Sequence, residues 1–325
     1  GRLRHNIDLD FRNEDGLDIW DRHYARRLLY ETRMSRPVVG DYHTNSEIES
    51  FLKEFTTGHC RPISRFFSIG KSVQGRELWV LEISDKPGQE ELEPNFKYVA
   101  NMHGDEPLGR ELLVHLAEWL CDHYVGKREP EPRAKRIVED LHLYMLLAMN
   151  PDGFESKSRT NANRIDLNRD YPDAFSPLGV NALNIEKRQP ETAALMRWTL
   201  KTPFVASANF HEGALVANYP WDGSASRRTE YAACPDDSAF RHLALTYSRH
   251  HQFMAKSRKF QQGITNGAEW YPVYGGMQDW NYLVGKCFDL TVEMHDRKWP
   301  SASHLKHYFN EHLQSLLHLP LVASL

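Results

Sequence analysis

The sequence has no run of about 18 uncharged apolar residues, the length a membrane-spanning helix needs. Its nearest approach, the C-terminal LLHLPLVASL, is too short and is broken by His318 and Pro320. A bilayer span is therefore not expected. There is no Asn-X-Ser/Thr acceptor, so glycosylation gives no sign of an extracellular address. The chain opens on Gly-Arg-Leu-Arg, with neither an initiator Met nor an apolar leader, and reads as a processed or trimmed piece. Charge of one sign is also lacking. A net charge of -4 over 325 residues leaves no electrostatic case for a nucleic acid or an anionic membrane as partner. Cysteine is scarce: Cys60, Cys121, Cys234 and Cys287 permit two disulfides or four reduced thiols, and the count alone does not decide.

What is present is the composition of a soluble globular protein, 41% hydrophobic and 26% charged. No internal repeat and no low-complexity linker divides it, so one large core over residues 45–325 is expected. Residues 1–44, rich in Arg, Asp and Asn and weakly periodic, read as an extended arm or pro-segment remnant.

From Asn45, SEIESFLKEF combines a Ser cap, a Glu three residues on and helical apolar spacing, which predicts a helix starting near residue 46. ISRFFSIG and RELWVLEISD alternate about a Gly-containing turn and predict a hairpin. FKYVANM is a buried strand running into HGDEPLG, after which RELLVHLAEWLCDHY has the i, i+3, i+4, i+7 pattern of a helix. Further helices are expected near 132–139, 189–201, 237–254 and from 301, with strands at LHLYMLLAMN, FVASANF, ALVANY and CFDLTVEM. Strands alternating with helices give an α/β class with a sheet covered on both faces, where sites collect beyond the C-terminal strand ends.

Several polar residues fall at such ends. His103 and Glu106 in HGDE are two candidate metal ligands, since zinc takes imidazole nitrogen and carboxylate oxygen. The spelling HxxE is cheap, because 17 His and roughly one Glu in 13 residues make about one chance match. A second match exists, His115 and Glu118, but it lies mid-helix where no loop opens to substrate, and reads as structural. His211, following the apolar run of SANFHEG, is the candidate third ligand, although a lone strand-end His is more often hydrogen-bonded than ligating. Glu293 ends the run FDLTVEM. It is either a salt-bridged strand-end carboxylate or, beside a metal, a general base. Arg159, Asn168 and Arg169 sit in SRTNANRIDLNRDYPD, which is either a solvated loop or an anion grip suited to a carboxylate and a developing oxyanion.

Taken together, GKSVQGRELWVLEISD, NMHGDEPLGRELL, NPDGFE, RTNANRIDLNRDYPD, NFHEGALVANYPWD, NGAEWYPVYGGMQDWNY and CFDLTVEMHDRKWP resemble the zinc metallocarboxypeptidases over about residues 62–300. Within them the resemblance is to the regulatory branch of carboxypeptidases N, E, M and D, and especially to the plant member of the D type. It implies a three-layer α/β/α sandwich with a central mixed, twisted sheet, and one Zn2+ held by His103, Glu106 and His211. It further implies Glu293 as general base, Arg159 polarising the scissile carbonyl, and Asn168, Arg169 and Tyr271 gripping the terminal carboxylate, the tyrosine on a closing loop. Asp222 and Gln278 match the pocket that selects a C-terminal Arg or Lys.

The family's habitat implies a secretory-lumen, endosomal or extracellular monomer acting on peptides, with disulfides Cys60–Cys121 and Cys234–Cys287. Three departures stand out. Glu212 replaces a small residue after the candidate zinc His and is expected to alter pocket charge. Arg164 replaces a small or amide residue and adds surface charge. The transthyretin-like β-domain that follows in relatives is expected to be missing, either trimmed away or lacking in the mature protein. Two other readings are a catalytically inactive peptide-binding homologue, against which every chemical position is filled, and a zinc amidohydrolase of N-acyl amino acids, which the terminal-carboxylate residues fit less well.

Overall fold

Eight strands pair in the order β1-β2-β4-β3-β5-β8-β6-β7. They are β1 (Ser64–Lys71), β2 (Glu77–Ile83), β3 (Asn95–Ala100), β4 (His142–Leu146), β5 (Phe204–His211), β6 (Ala214–Tyr219), β7 (Ile264–Asn266) and β8 (Phe288–His295). The structure is a computed structural model that describes residues 41–176 and 184–322. The expected arm over residues 1–40 lies outside the described residues. Its last four residues, Asp41–Thr44, pack against the rest: Tyr42 is buried and its hydroxyl donates to the Pro300 carbonyl at 2.8 Å. All elements named here belong to one compact unit, Gly40–Leu325.

The sheet is mixed. β4, β3, β5 and β8 run parallel as its centre, β2 is antiparallel to β4 and β1 antiparallel to β2, while β6 is antiparallel to β8 and parallel to β7. The central strands are buried on both faces, as they must be when helices cover both, mostly by apolar residues but with hydrogen-bonded exceptions such as Lys97, Ser207 and Asp289. One face of the sheet packs on α5 (Pro190–Lys201) and α8 (Met277–Leu283), through Val80, Val99, Leu146, Leu195, Trp198 and Trp280. The other face meets α2 (Leu108–Tyr124), α3 (Pro132–Glu139), α6 (Asp237–His250) and α9 (Leu305–Val322). There Tyr98 stacks on Phe210 and donates its hydroxyl to the Leu316 carbonyl. Gly109 is required at this contact, since a Cβ would come within 2.6 Å of Phe210 Cβ.

The expected elements are present, with differences that have physical reasons. The first helix, α1 (Asn45–Thr57), is capped by Thr44 and closed by Glu47, two residues ahead of the expected Ser46, because the Thr hydroxyl and the Glu47 carboxylate complete the reciprocal capping box. The short elements α4 (Pro151–Glu155), α7 (Gly267–Trp270) and β7 carry too few residues for a periodic signal.

The Cys60–Cys121 disulfide joins the end of α1 to α2 across 61 residues. The expected Cys234–Cys287 bridge does not form: both are free, buried thiols. Cys287 lies in the core against α8, its sulfur 3.2 Å from Ser207 Oγ, whereas Cys234 lies in the loop before α6. An even count does not itself bring sulfurs together.

Candidate active site

β3 delivers its chain into the loop His103–Pro107, β5 ends at His211, and β8 carries Glu293 directly beside His211 in parallel register. These three neighbouring strand ends therefore converge by topology, which is how residues far apart in sequence meet. His103 Nδ1, His211 Nδ1 and Glu106 Oε2 lie 2.9–3.0 Å from one another, and all three side chains are buried. The loop is drawn tight at Gly104, where a Cβ would lie 2.0 Å from the Gly153 carbonyl carbon, so no larger residue lets it close on α4.

The outer nitrogens of both rings are occupied. His103 Nε2 donates to Asp166 Oδ1 at 3.1 Å, and His211 Nε2 faces the Asn209 side-chain amide at 2.7 Å. The His103 Nδ1 lone pair is thus turned inward toward the Glu106 carboxylate, and His211 presents its own Nδ1 lone pair there once the Asn209 amide, whose Oδ1 has no partner, turns that oxygen to accept from Nε2. Three electron-rich atoms this close repel one another unless a cation or a proton lies among them. Zinc ligands about 2.0–2.1 Å from a tetrahedral ion are about 3.3 Å apart, close to the spacing here, and two His with one Glu leave a fourth position open. The donor set fits zinc. The electrostatics fit as well. Burial lowers His211, toward a value of about 4, and it is neutral at physiological pH. Burial alone would raise Glu106, but His103 and His211 outweigh it and hold the carboxyl ionised.

Glu293 is buried, and its Oε2 has no hydrogen-bond partner. Burial, then the Glu106 carboxylate, push its carboxyl up to about 8. A cation that neutralised Glu106 would bring it down, toward the range a general base needs.

Arg159 reaches over the cluster. Its guanidinium donates to Asp166 Oδ2 at 2.9 Å and to Glu106 Oε1 at 3.4 Å. The Asn168 side-chain oxygen accepts from Met277 N, which ties the loop to the start of α8, and the exposed Arg169 donates to the Asn168 carbonyl. Tyr271, just past α7, is 45% exposed, the accessibility a residue on a moving loop would have. These residues line one cleft with His103, His211, Glu293 and Asp222. Asp222 is 3% exposed, and burial raises its carboxyl to about 6. It accepts from Asn218 Nδ2 at 2.9 Å. Gln278, on α8, is buried: its Oε1 accepts from Thr291 N, while its Nε2 has no partner.

The His115–Glu118 pair remains on the α2 surface, 3.5 Å apart, with the imidazole against Phe309. Arg164 is exposed at φ +61°, the left-handed region that small and amide residues tolerate best, which explains why such residues are more usual there. Glu212 lines the cleft, and it also has a second part in the fold. Its side chain turns into the protein, where its carboxylate accepts from Leu108 N at 2.5 Å and Trp299 N at 3.0 Å. It thus caps α2 from a neighbouring strand end, since Pro107 offers no capping side chain.

Three residues of the site carried no sequence signal that was used. Asp166 orients both His103 and Arg159; Lys298 places its ammonium 2.8 Å from Glu106 Oε1; Asn209 faces His211. For Asp166 a signal existed, since it stands two residues before Asn168 in the segment already singled out.

The sequence matches the family described as Zinc carboxypeptidase over residues 48–315. It is 55% identical to Carboxypeptidase SOL1 of Arabidopsis thaliana over 295 residues, covering 91% of this chain and 58% of that protein. It is 42% identical to Carboxypeptidase D of Mus musculus over 301 residues, covering 87% of this chain and 21% of that protein. The chain thus spans little more than half of the first relative's length and about a fifth of the second's. Among solved structures, thrombin activatable fibrinolysis inhibitor superposes with a TM-score of 0.70 at 17% identity, covering 93% of this chain and 79% of the other, a likeness of fold. Donors converging at neighbouring strand ends and likeness along nearly the whole described unit lead to one statement: the chain belongs to the zinc carboxypeptidase family, in the N/E-type regulatory branch.

Proposed function

We propose that the chain is an exopeptidase that removes a single C-terminal Arg or Lys, with residues 45–325 as its catalytic unit. The observation that carries this reading is a buried carboxylate, Asp222, lining the same cleft as the His103, Glu106 and His211 donors. A cationic side chain entering there gains a partner for a charge that is otherwise costly to bury, whereas an apolar one leaves it unpaired.

His103, Glu106 and His211 would hold one zinc ion, which supplies the Lewis acid for the scissile carbonyl and the attacking water. Glu293 takes the proton from that water and passes it to the leaving amine, a role suited to its unpaired, buried oxygen. Arg159, held by Asp166, donates to the carbonyl oxygen as charge builds on it. Asn168, Arg169 and Tyr271 bind the terminal carboxylate and so place the last peptide bond over the metal. Gln278 supplies a further polar group at the pocket floor.

The compartment is proposed as the secretory lumen, endosome or cell exterior, supported by the Cys60–Cys121 disulfide. No described helix is long and apolar enough to cross a membrane. The chain is proposed to act as a monomer. Peptides identical except for a final Arg, Lys or Leu, each with and without a chelator, test the function. Chelator-sensitive release of Arg and Lys but not Leu is expected. Equal cleavage of all three would remove the pocket assignment, and chelator-insensitive cleavage would remove the metal.

A further inference from the structure

A second cluster lies at the other end of the sheet, away from the cleft. β4 begins at His142, paired with Asn95 at the start of β3, and the loop Ser84–Pro94 between β2 and β3 brings Glu91 and Glu93 over it. His142 Nε2, Glu91 Oε2 and Glu93 Oε2 lie within 4.8 Å of one another. All three atoms are buried from solvent and have no hydrogen-bond partner.

The second ring nitrogen of His142 and the second oxygen of Glu91 have partners. His142 Nδ1 donates to Oε1 of Glu82, which is fully buried and is itself held by Gly88 N and Arg65. Glu91 binds Lys86 through its other oxygen at 2.6 Å. Donation from Nδ1 to a carboxylate turns the Nε2 lone pair toward Glu91 and Glu93, the carboxylate–histidine arrangement that orients an imidazole toward a metal.

The distances separate the occupants. Nε2 is 3.7 Å from Glu93 and 3.9 Å from Glu91, too far for a proton to be shared in a hydrogen bond. Two ligands about 2.0–2.2 Å from one ion lie from about 3.3 Å apart at a tetrahedral angle to about 4 Å at a wider one, which spans both gaps. One imidazole with two carboxylates selects a first-row divalent ion over magnesium or calcium, for which all-oxygen sets are usual.

We propose that His142, Glu91 and Glu93 form a second, structural divalent-metal site, of the zinc class, that fastens the β2–β3 loop to the start of β4. Glu82 is its positioning residue. The site shares no residue with the cleft, so it stands or falls independently of the proposed peptidase chemistry.

The test is metal content and melting temperature of the full chain after equilibration with micromolar free zinc. Wild type is expected to retain one more zinc equivalent than the Glu91→Gln/Glu93→Gln variant, whose substitutions lie on a partly exposed loop and leave peptidase activity unchanged. His142→Gln is expected to lose the same equivalent. His211→Ala is expected to lose the cleft ion while still gaining melting temperature on zinc addition, a gain that Glu91→Gln/Glu93→Gln abolishes in that background. Equal zinc content in wild type and Glu91→Gln/Glu93→Gln would overturn the proposal. So would an unchanged zinc response of melting temperature in the combined variant; either result would leave His142 an imidazolium paired with carboxylates.

Discussion

Asp222→Asn separates a specificity carboxylate from a structural one, because the two roles move activity and stability in different directions. Asp222 is almost fully buried, so a substrate guanidinium that meets Asn instead loses a charged partner in a desolvated pocket. Truncating one member of such a pair costs about 2–5 kcal/mol, and a central value of about 3 kcal/mol is a hundredfold or more in kcat/KM. A Leu-ending peptide has no such loss.

Stability responds in the opposite sense. The Asp222 carboxyl lies at about 6 in the folded protein against an ordinary 3.8, mainly through burial. An acid raised on folding binds more protons folded than unfolded between those values, so stability falls as pH rises through that window and stays lower above it. The penalty at neutral pH is at most about 3 kcal/mol, and Asn removes it while its side-chain oxygen keeps the bond from Asn218. The assay is kcat/KM on Arg- and Leu-ending peptides beside melting temperature at pH 7 and below pH 4. The variant should lose the Arg preference and melt higher at pH 7, with the melting difference vanishing in acid. Equal loss on both peptides together with a lower melting temperature would refute the reasoning.

Two further substitutions and titrations bear on the framework. Denatured, unreduced protein should react with a thiol reagent at two sites, Cys234 and Cys287, and native protein at neither, because both are buried; zero reactive thiols after denaturation would restore the second disulfide. Glu212→Ala removes the acceptor of two backbone N–H groups, Leu108 and Trp299, and should cost about 2–6 kcal/mol in denaturant unfolding at roughly 1–3 kcal/mol per orphaned donor; an unchanged midpoint would make that cap incidental. Removing the Cys60–Cys121 bridge by Cys60→Ser/Cys121→Ser should cost about 4 kcal/mol by the loop-entropy relation for a 61-residue closure, read as a lowered melting temperature.

The candidate donor positions could be picked out because they fall at or just after the ends of apolar runs, and the topology then brings those ends together. Position distinguished His103–Glu106 from His115–Glu118, which has the same spelling within a helix and with the imidazole against Phe309. Lys298 was not legible, since its role exists only relative to a partner 192 residues away, whereas Asp166 stood in a segment already notable for its arginines and its tie to His103, 63 residues away, had to be supplied by the fold. The capping role of Glu212 was hidden for a related reason. A Glu beside a candidate ligand reads as pocket charge alone until the proline-started helix α2 is seen to need a cap. The Cys234–Cys287 expectation, drawn from the family's habitat, failed because a compartment that permits disulfides does not bring two sulfurs together: Cys287 lies in the core against α8 and Cys234 in the loop before α6. The capping box at Thr44 shows the smaller error typical of helix ends, where adjacent Thr and Ser both offer a hydroxyl.

The proposed roles converge on Glu293 acting at a metal held by His103, Glu106 and His211. Zinc content and release of Arg from an Arg-ending peptide, measured side by side for wild type, Glu293→Gln and His211→Ala, test that arrangement. Glu293→Gln is expected to keep wild-type zinc with activity reduced by about 10²–10⁴, and His211→Ala to lose one zinc equivalent together with activity. Near wild-type activity in Glu293→Gln, or full zinc content in His211→Ala, would contradict it.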